Sequence, residues 1–137
     1  MPINGVFSIL VADSNAMVVQ YLKHILTKRQ QFRVEGMYTA EDVFAYLQDH
    51  TPDVIILDTS ISEVDGIYVC KEIRKNNPTI PIIIITAELD PNYRFSAYQA
   101  GANDFIAKPF NSEEILSHIK HHLHLSTLDF IPQKFLM

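Results

Sequence analysis

The chain is short of several things at once, and each shortage removes a class of function. Its 137 residues include one cysteine, Cys70, and no tryptophan. A lone cysteine cannot close an internal disulfide, and such usage fits a reducing, cytoplasmic setting. Positive charge is scarce: 11 Lys and Arg against 16 Asp and Glu give a formal net charge of −5. Broad nucleic-acid binding needs a basic surface, so direct nucleic-acid binding by this segment is not expected. No apolar stretch approaches the roughly 18 residues of a spanning helix, so no membrane segment is expected. The start, Met1-Pro2-Ile3-Asn4-Gly5, lacks the basic region of a signal peptide. Glycine is scarce too, at Gly5, Gly36, Gly66 and Gly101 only. None falls in the first strand-to-helix turn, Ala12-Asp13-Ser14-Asn15, where a dinucleotide fold needs glycine for close approach to a pyrophosphate. A Walker lysine is missing, and Ser14 alone is thin support for an FMN phosphate loop.

What is present is a set of apolar runs that end in polar residues. Pro52-Asp53-Val54-Ile55-Ile56-Leu57 closes on Asp58, Ile9-Leu10-Val11-Ala12 on Asp13, and Ile82-Ile83-Ile84-Ile85 on Thr86. A fourth segment, Asp104-Phe105-Ile106-Ala107, leads to Lys108-Pro109. Continuous apolar runs are the signature of parallel strands buried on both faces. In open α/β sheets, ligands bind at the carboxyl ends of the strands. Two aspartates, a threonine and a lysine are therefore expected to converge.

Strand and helix alternate throughout. Val6–Ala12 reads as a strand, followed by a helix capped at Ser14 or Asn15 and running to about Arg29, with Val18, Leu22, Ile25 and Leu26 inward. Phe32–Tyr38 is a weaker strand. Thr39 and Asp42 cap a helix through Asp49. Gly66 opens a third helix with Ile67, Cys70 and Ile73 inward, closed by Asn77-Pro78. Asp90-Pro91 starts a fourth that ends near Gly101. Asn111 with Glu114 caps a fifth, in which Ile115, Ile119 and Leu123 recur at i, i+4, i+8. This predicts one α/β domain over 1–125, a doubly wound sheet with right-handed crossovers, and a tail or linker stub over 126–137.

The polar residues suit phosphoryl transfer. Carboxylates on adjacent strands bind hard cations such as Mg²⁺, which take few protein ligands. A lysine ammonium matches a phosphoryl oxygen, a threonine hydroxyl donates to another, and an aspartate can be the nucleophile. Phosphoryl transfer asks mainly for positioning and charge neutralisation. A haloacid-dehalogenase-type phosphatase fits poorly, because Asn15 stands where its second aspartate belongs.

The segments Leu10-Val11-Ala12-Asp13, Pro52 to Asp58, Asp65-Gly66, Ile84-Ile85-Thr86-Ala87, Ala100-Gly101-Ala102 and Lys108-Pro109-Phe110 follow in order at matching spacing. Over about Val6 to Leu125 the chain resembles a response-regulator receiver domain. The resemblance implies a flavodoxin-like (βα)5 sheet of order 2-1-3-4-5, with helices on both faces. It implies a signalling domain of a two-component or phosphorelay system rather than a separate enzyme. Asp58 would be phosphorylated by a sensor histidine kinase or a histidine phosphotransfer protein. Asp13, Asp58 and the Ser60 carbonyl would hold Mg²⁺, and Lys108 would pair with the phosphoryl group. Thr86 would reach it by moving, with Phe105 following, and would remodel a face for a downstream output domain, a protein partner or a homodimer through the fourth and fifth helices. Ser60 and Glu88 would flank the attacking water. The Lys108–Pro109 peptide would be cis.

Two departures stand out. Ala12 replaces the first of two acidic residues usual in the family, a group that orients metal-bound water; such losses typically cost about 10–100-fold in affinity or activity. Ser62 stands where a proline is usual. Both support an alternative, a pseudo-receiver acting as a phosphorylation-independent interaction module. Taken singly, Asp58, Asp13, Thr86 and Lys108 are ordinary strand-end, cap and loop residues; the ensemble gives them meaning. His118, His121, His122 and His124 tempt a zinc or nickel reading because His118 and His122 share a helix face. With no acid or cysteine inside the run from His118 to His124, a solvated or interface face is expected instead.

Overall fold

The computed structural model describes residues 5–61 and 64–124. The elements alternate strictly: β1 (Phe7–Ala12), α1 (Ala16–Thr27), β2 (Phe32–Met37), α2 (Ala40–Asp49), β3 (Val54–Asp58), α3 (Gly66–Asn76), β4 (Ile82–Thr86), α4 (Pro91–Gln99), β5 (Asp104–Ala107) and α5 (Ser112–His122). The strands form one parallel sheet in the order β2-β1-β3-β4-β5. This is the expected flavodoxin-like arrangement.

Each helix starts where a short polar side chain accepts a first-turn N–H. Asn15 accepts from Met17, Thr39 from Asp42, Asp65 from Ile67, Asp90 from Asn92 and Asn111 from Glu114. Such caps satisfy amides that no carbonyl of the helix can reach. Asn15, not Ser14, caps α1. Pro91 follows Asp90 at the first turn, where its missing N–H costs nothing.

Strand pleating divides the core in two. Ile9, Val11, Val54, Ile56, Ile83 and Ile85 pack with Val19, Leu22 and Leu26 of α1 and Ile115 and Ile119 of α5. The alternate residues Leu10, Ala12, Ile55, Leu57, Ile82 and Ile84 pack with Val43 of α2, Val69, Cys70 and Ile73 of α3, and Ala97 of α4. Burying one such aliphatic side chain contributes about 1.5–3 kcal/mol. The stripes differ from expectation by one residue in two helices. Val19 rather than Val18 faces the sheet in α1, and Val69 is fully buried where Ile67 is only partly so.

The end of the sheet away from the strand carboxyl ends is clamped by one side chain. Arg74 near the end of α3 donates to the carbonyls of Gly101, Asn77 and Ile80 and to Oδ1 of Asn103. Gly101 has φ +111°, and a Cβ there would lie 2.6 Å from Cγ of Arg74, so both backbone and space demand glycine. Among the described residues, no helix is long and apolar enough to cross a membrane. The tail over 126–137 lies outside the described residues.

Candidate functional site

The pleat that builds the core also sorts the polar residues. Asp13 continues the Ile9, Val11 series and Asp58 the Val54, Ile56 series, so both carboxylates leave the sheet on the α1/α5 side. The β1–β3 register pairs Ala12 with Leu57, which makes Asp13 and Asp58 the next pair along. Thr86 follows Ile82 and Ile84 and belongs to the other face. Among the described residues, Asp13, Asp58 and Thr86 are the buried polar side chains, each at most 1% exposed.

Lys108, brought up at the end of β5, joins the two carboxylates. Its Nζ lies 2.7 Å from Oδ1 of Asp58 and 3.2 Å from Oδ2 of Asp13. The other Asp58 oxygen, Oδ2, accepts from the Ser60 N–H at 2.9 Å and the Ser60 hydroxyl at 2.7 Å. Oδ1 of Asp13 accepts from the Asn15 N–H at 2.9 Å. The Ser60 carbonyl turns to the same side, where the Ser14 hydroxyl donates to it at 2.8 Å. Burial pushes the Asp13 carboxyl above the usual carboxylate range, and the neighbouring Asp58 charge adds to it; the Asn15 amide and Lys108 oppose the rise. Burial works against the Lys108 charge, yet hydrogen bonding and attraction to Asp58, then Asp13, hold its pKa above that of an ordinary lysine. Two carboxylates and a carbonyl offer hard oxygen donors beside one monovalent cation, a donor set that fits Mg²⁺.

Thr59, next to Ser60, is tied to the start of α3. The Gly66 N–H donates to the Thr59 carbonyl at 2.7 Å. A Cβ on Gly66 would lie 2.5 Å from the Asp58 carbonyl oxygen and 2.6 Å from Cα of Thr59, so only glycine lets α3 start this close to β3. Thr86 is engaged on its own face: its Oγ1 lies 2.7 Å from Oγ1 of Thr59 and accepts the Glu88 N–H at 2.9 Å. Beside it an open groove of about 510 Å³ is lined by Met17, Val18, Tyr21, Lys108, Pro109 and Phe110, among others.

Comparison with known proteins places this geometry in a family. The model of the response regulator receiver domain matches residues 9–120. The chain belongs to the response regulator receiver family. It is 34% identical over 112 residues to the response regulator ArlR of Staphylococcus aureus strain Mu50, covering 82% of this chain and 50% of that protein. The chain thus spans about half the length of the curated relatives it matches. The beryllium-fluoride-activated receiver domain of DrrB, a Thermotoga maritima protein, superposes with a TM-score of 0.79 at 27% identity, over 87% of this chain and 98% of that one. A two-component response regulator from Clostridium difficile gives 0.82 at 27% identity, over 86% and 96%. The chain is therefore a receiver domain of two-component signalling, a signalling domain.

Several expectations for a receiver can now be placed. Ala12 is fully buried in the α2/α3 half of the core. Lys108–Pro109 is cis. Phe105 packs partly buried against the same half-core, with the Arg94 guanidinium 5.6 Å from its ring centroid. Ser62 lies outside the described residues.

The histidines have a partner the local sequence does not supply. Asp104, at the start of β5, accepts from His118 through Nδ1 and from His122 through Nε2, the latter at 2.9 Å. Burial pushes the Asp104 carboxyl up, but these two histidine bonds outweigh it and hold the pKa below the usual carboxylate range. His118 and His122 are half-buried, while His121 and His124 are exposed. No group of three or more His, Cys, Asp or Glu among the described residues is arranged to hold a metal ion. The solvated face is thus partly a packed, hydrogen-bonded site. The i, i+4 spacing pointed to it; Asp104 is 14 residues away and became a neighbour only through the fold.

Proposed function

We propose that Asp58 is the phosphoacceptor of this receiver and that it is phosphorylated in a Mg²⁺-dependent reaction. The observation that carries the proposal is the buried Asp13–Asp58 pair bridged by Lys108. An Asp58 oxygen forms the O–P bond as the donor's N–P bond breaks, leaving an acyl phosphate and a free imidazole. The ammonium of Lys108, already on Oδ1 of Asp58, follows the charge onto the phosphoryl oxygens. Asp13, Asp58 and the Ser60 carbonyl would hold Mg²⁺, which neutralises charge on the phosphoryl group when bound. Thr86 would turn from Thr59 to a phosphoryl oxygen, with Phe105 following. Ser60 and Glu88 stand next to the position of the attacking water in dephosphorylation.

The phosphodonor in this reading is a sensor histidine kinase or a histidine phosphotransfer protein. The apolar groove beside Lys108, with Met17 81% exposed at its edge, suits such a protein. Leu89, Phe95 and Tyr98 expose apolar surface around α4, which suits an output domain, a protein target or a second copy through the α4/α5 face. A cytoplasmic location belongs to the same reading. Ala12 favours the second reading, a pseudo-receiver that binds partners without phosphorylation.

Intact mass after incubation with acetyl phosphate, with and without Mg²⁺, separates the two. One added phosphoryl group that requires Mg²⁺ and is lost in Asp58→Asn is expected. A folded protein that stays unmodified by acetyl phosphate and by histidine phosphodonors at any Mg²⁺ concentration would establish the pseudo-receiver.

A further inference from the structure

Ser14 takes no part in capping α1. Asn15 does that, accepting the Met17 N–H at 2.9 Å. The Ser14 hydroxyl instead reaches across 46 residues of chain and donates to the Ser60 carbonyl at 2.8 Å.

The bond joins two segments that each bring an oxygen to the Mg²⁺ donor set. Asp13, the residue before Ser14, carries a carboxylate at the end of β1, and Ser60 carries its carbonyl in the loop after β3. The Ser60 N–H and hydroxyl both donate to Oδ2 of Asp58, at 2.9 and 2.7 Å. Those two bonds fix where Ser60 stands beside Asp58. They do not fix its ψ, the soft dihedral that aims its carbonyl. The bond from Ser14 does, turning the carbonyl towards the end of β1 that bears Asp13. A carbonyl oxygen has two lone pairs, so a hydroxyl on one leaves the other for a cation. Ser14 therefore aims this donor without occupying it.

Aim matters more to one ion than to another. Mg²⁺ demands near-ideal octahedral geometry at about 2.0–2.1 Å, whereas Ca²⁺ accepts variable geometry at about 2.3–2.6 Å. A donor fixed in direction raises affinity for the strict ion more than for the tolerant one. Ala12, fully buried, brings no carboxylate to this end of the sheet, so the oxygens of Asp13, Asp58 and Ser60 carry the site.

We propose that Ser14 is a positioning residue of the metal site, whose hydroxyl aims the Ser60 carbonyl and so sets the preference for Mg²⁺ over Ca²⁺. The inference rests on the reading of Asp13, Asp58 and the Ser60 carbonyl as Mg²⁺ ligands. Ser14 acts through Ser60 and touches neither the ion nor the phosphoryl group. It is exposed and caps no helix, so Ser14→Ala should melt with the wild type.

The test is calorimetric titration of wild type, Ser14→Ala and Ser14→Thr with Mg²⁺ and with Ca²⁺, in the absence of any phosphodonor. Ser14→Ala is expected to bind Mg²⁺ about threefold more weakly, the low end of one net hydrogen bond, and Ca²⁺ with unchanged affinity. Ser14→Thr keeps the hydroxyl and should match the wild type with both ions. In the metal-free protein the carbonyl carbon shift of Ser60 should move in Ser14→Ala and stay in Ser14→Thr. Equal losses for both ions would overturn the positioning role, and so would an unchanged or a tighter Mg²⁺ affinity, the last by showing that the hydroxyl competes with the ion. A wild type that binds neither ion would overturn the metal-site reading itself, and the role of Ser14 with it; a wild type that binds Mg²⁺ beside an unaffected Ser14→Ala would remove the role of Ser14 alone.

Discussion

Ser60 grips one oxygen of Asp58 twice, through its backbone N–H at 2.9 Å and its hydroxyl at 2.7 Å, while Lys108 takes the other at 2.7 Å. The two carboxylate oxygens are thus chemically distinct before any donor arrives. In hydrolysis of an acyl phosphate the carboxylate is the leaving group, so donors to its oxygen stabilise the charge that returns there. Ser60→Ala removes one of the two donors. The phosphorylated form should live about five times longer, a value set by one net hydrogen bond of about 1 kcal/mol. Decay of the acyl phosphate by intact mass checks this, and an unchanged or shorter lifetime refutes it.

Asp13 is held at a cost to stability. Its folded pKa is raised above 3.8, chiefly by burial. A carboxyl shifted this way binds its proton more tightly when folded, so its destabilisation is absent in acid and fully present above the folded pKa. Asp13→Asn should raise the melting temperature at pH 7 by about 2–4 °C, with Lys108 still bonded to Asp58. That gain should fade as pH falls towards and below 3.8. The same variant should lose at least about tenfold in Mg²⁺ affinity, measured by calorimetry.

Ala12 can be tested in the opposite direction. Ala12→Asp restores the acidic pair typical of the family at a position that is now fully buried. Mg²⁺ affinity should rise about tenfold, while a carboxylate forced into the half-core around Leu10 and Leu57 should lower stability by about 2 kcal/mol. Tighter metal binding with no loss in chemical denaturation would show that this end of β1 is wetter than its burial implies.

Asp104 makes the opposite contribution to Asp13. Despite the burial that raises it, its bonds to His118 and His122 hold the folded pKa below 3.8. Its stabilisation is therefore complete above 3.8 and lost as pH falls through the lower folded value. Asp104→Asn should cost about 1 kcal/mol at neutral pH, discounted for the partial exposure of the site. The wild-type advantage should shrink below pH 3.8. Urea unfolding of both proteins across that window decides the point.

The strands were legible because each is an apolar run with a polar end, and the parallel sheet follows from burial on both faces. Helix starts were legible because Thr39, Asp90 and Asn111 announce themselves. The inward stripe of α1 was not. Val18 and Val19 are both apolar, and the 18-22-25 and 19-22-26 series are equally good helical spacings; only the tilt of the helix on the sheet selects Val19. Asp13, Asp58, Lys108 and Ser60 were anticipated as one group, and they do assemble. The Thr59–Thr86 bond was within reach of the sequence, since the register that pairs Asp58 with Ile85 makes it the next pair along. Tyr93 with Asp65, and Asp104 with the histidines, were not readable, because those partners come from elements whose approach depends on packing.

Arg74 gives the molecule an asymmetry between its two ends. Four acceptors from the end of α3, the approach to β4 and the turn between α4 and β5 share one guanidinium. The carboxyl-terminal end of α4 is thereby pinned to its neighbours, whereas near its amino-terminal end Tyr93 reaches Asp65 through one hydroxyl at 2.7 Å. Any displacement of α4 is then a swing about a fixed pivot at Gly101, with its largest travel beside Thr86 and its smallest beneath the sheet.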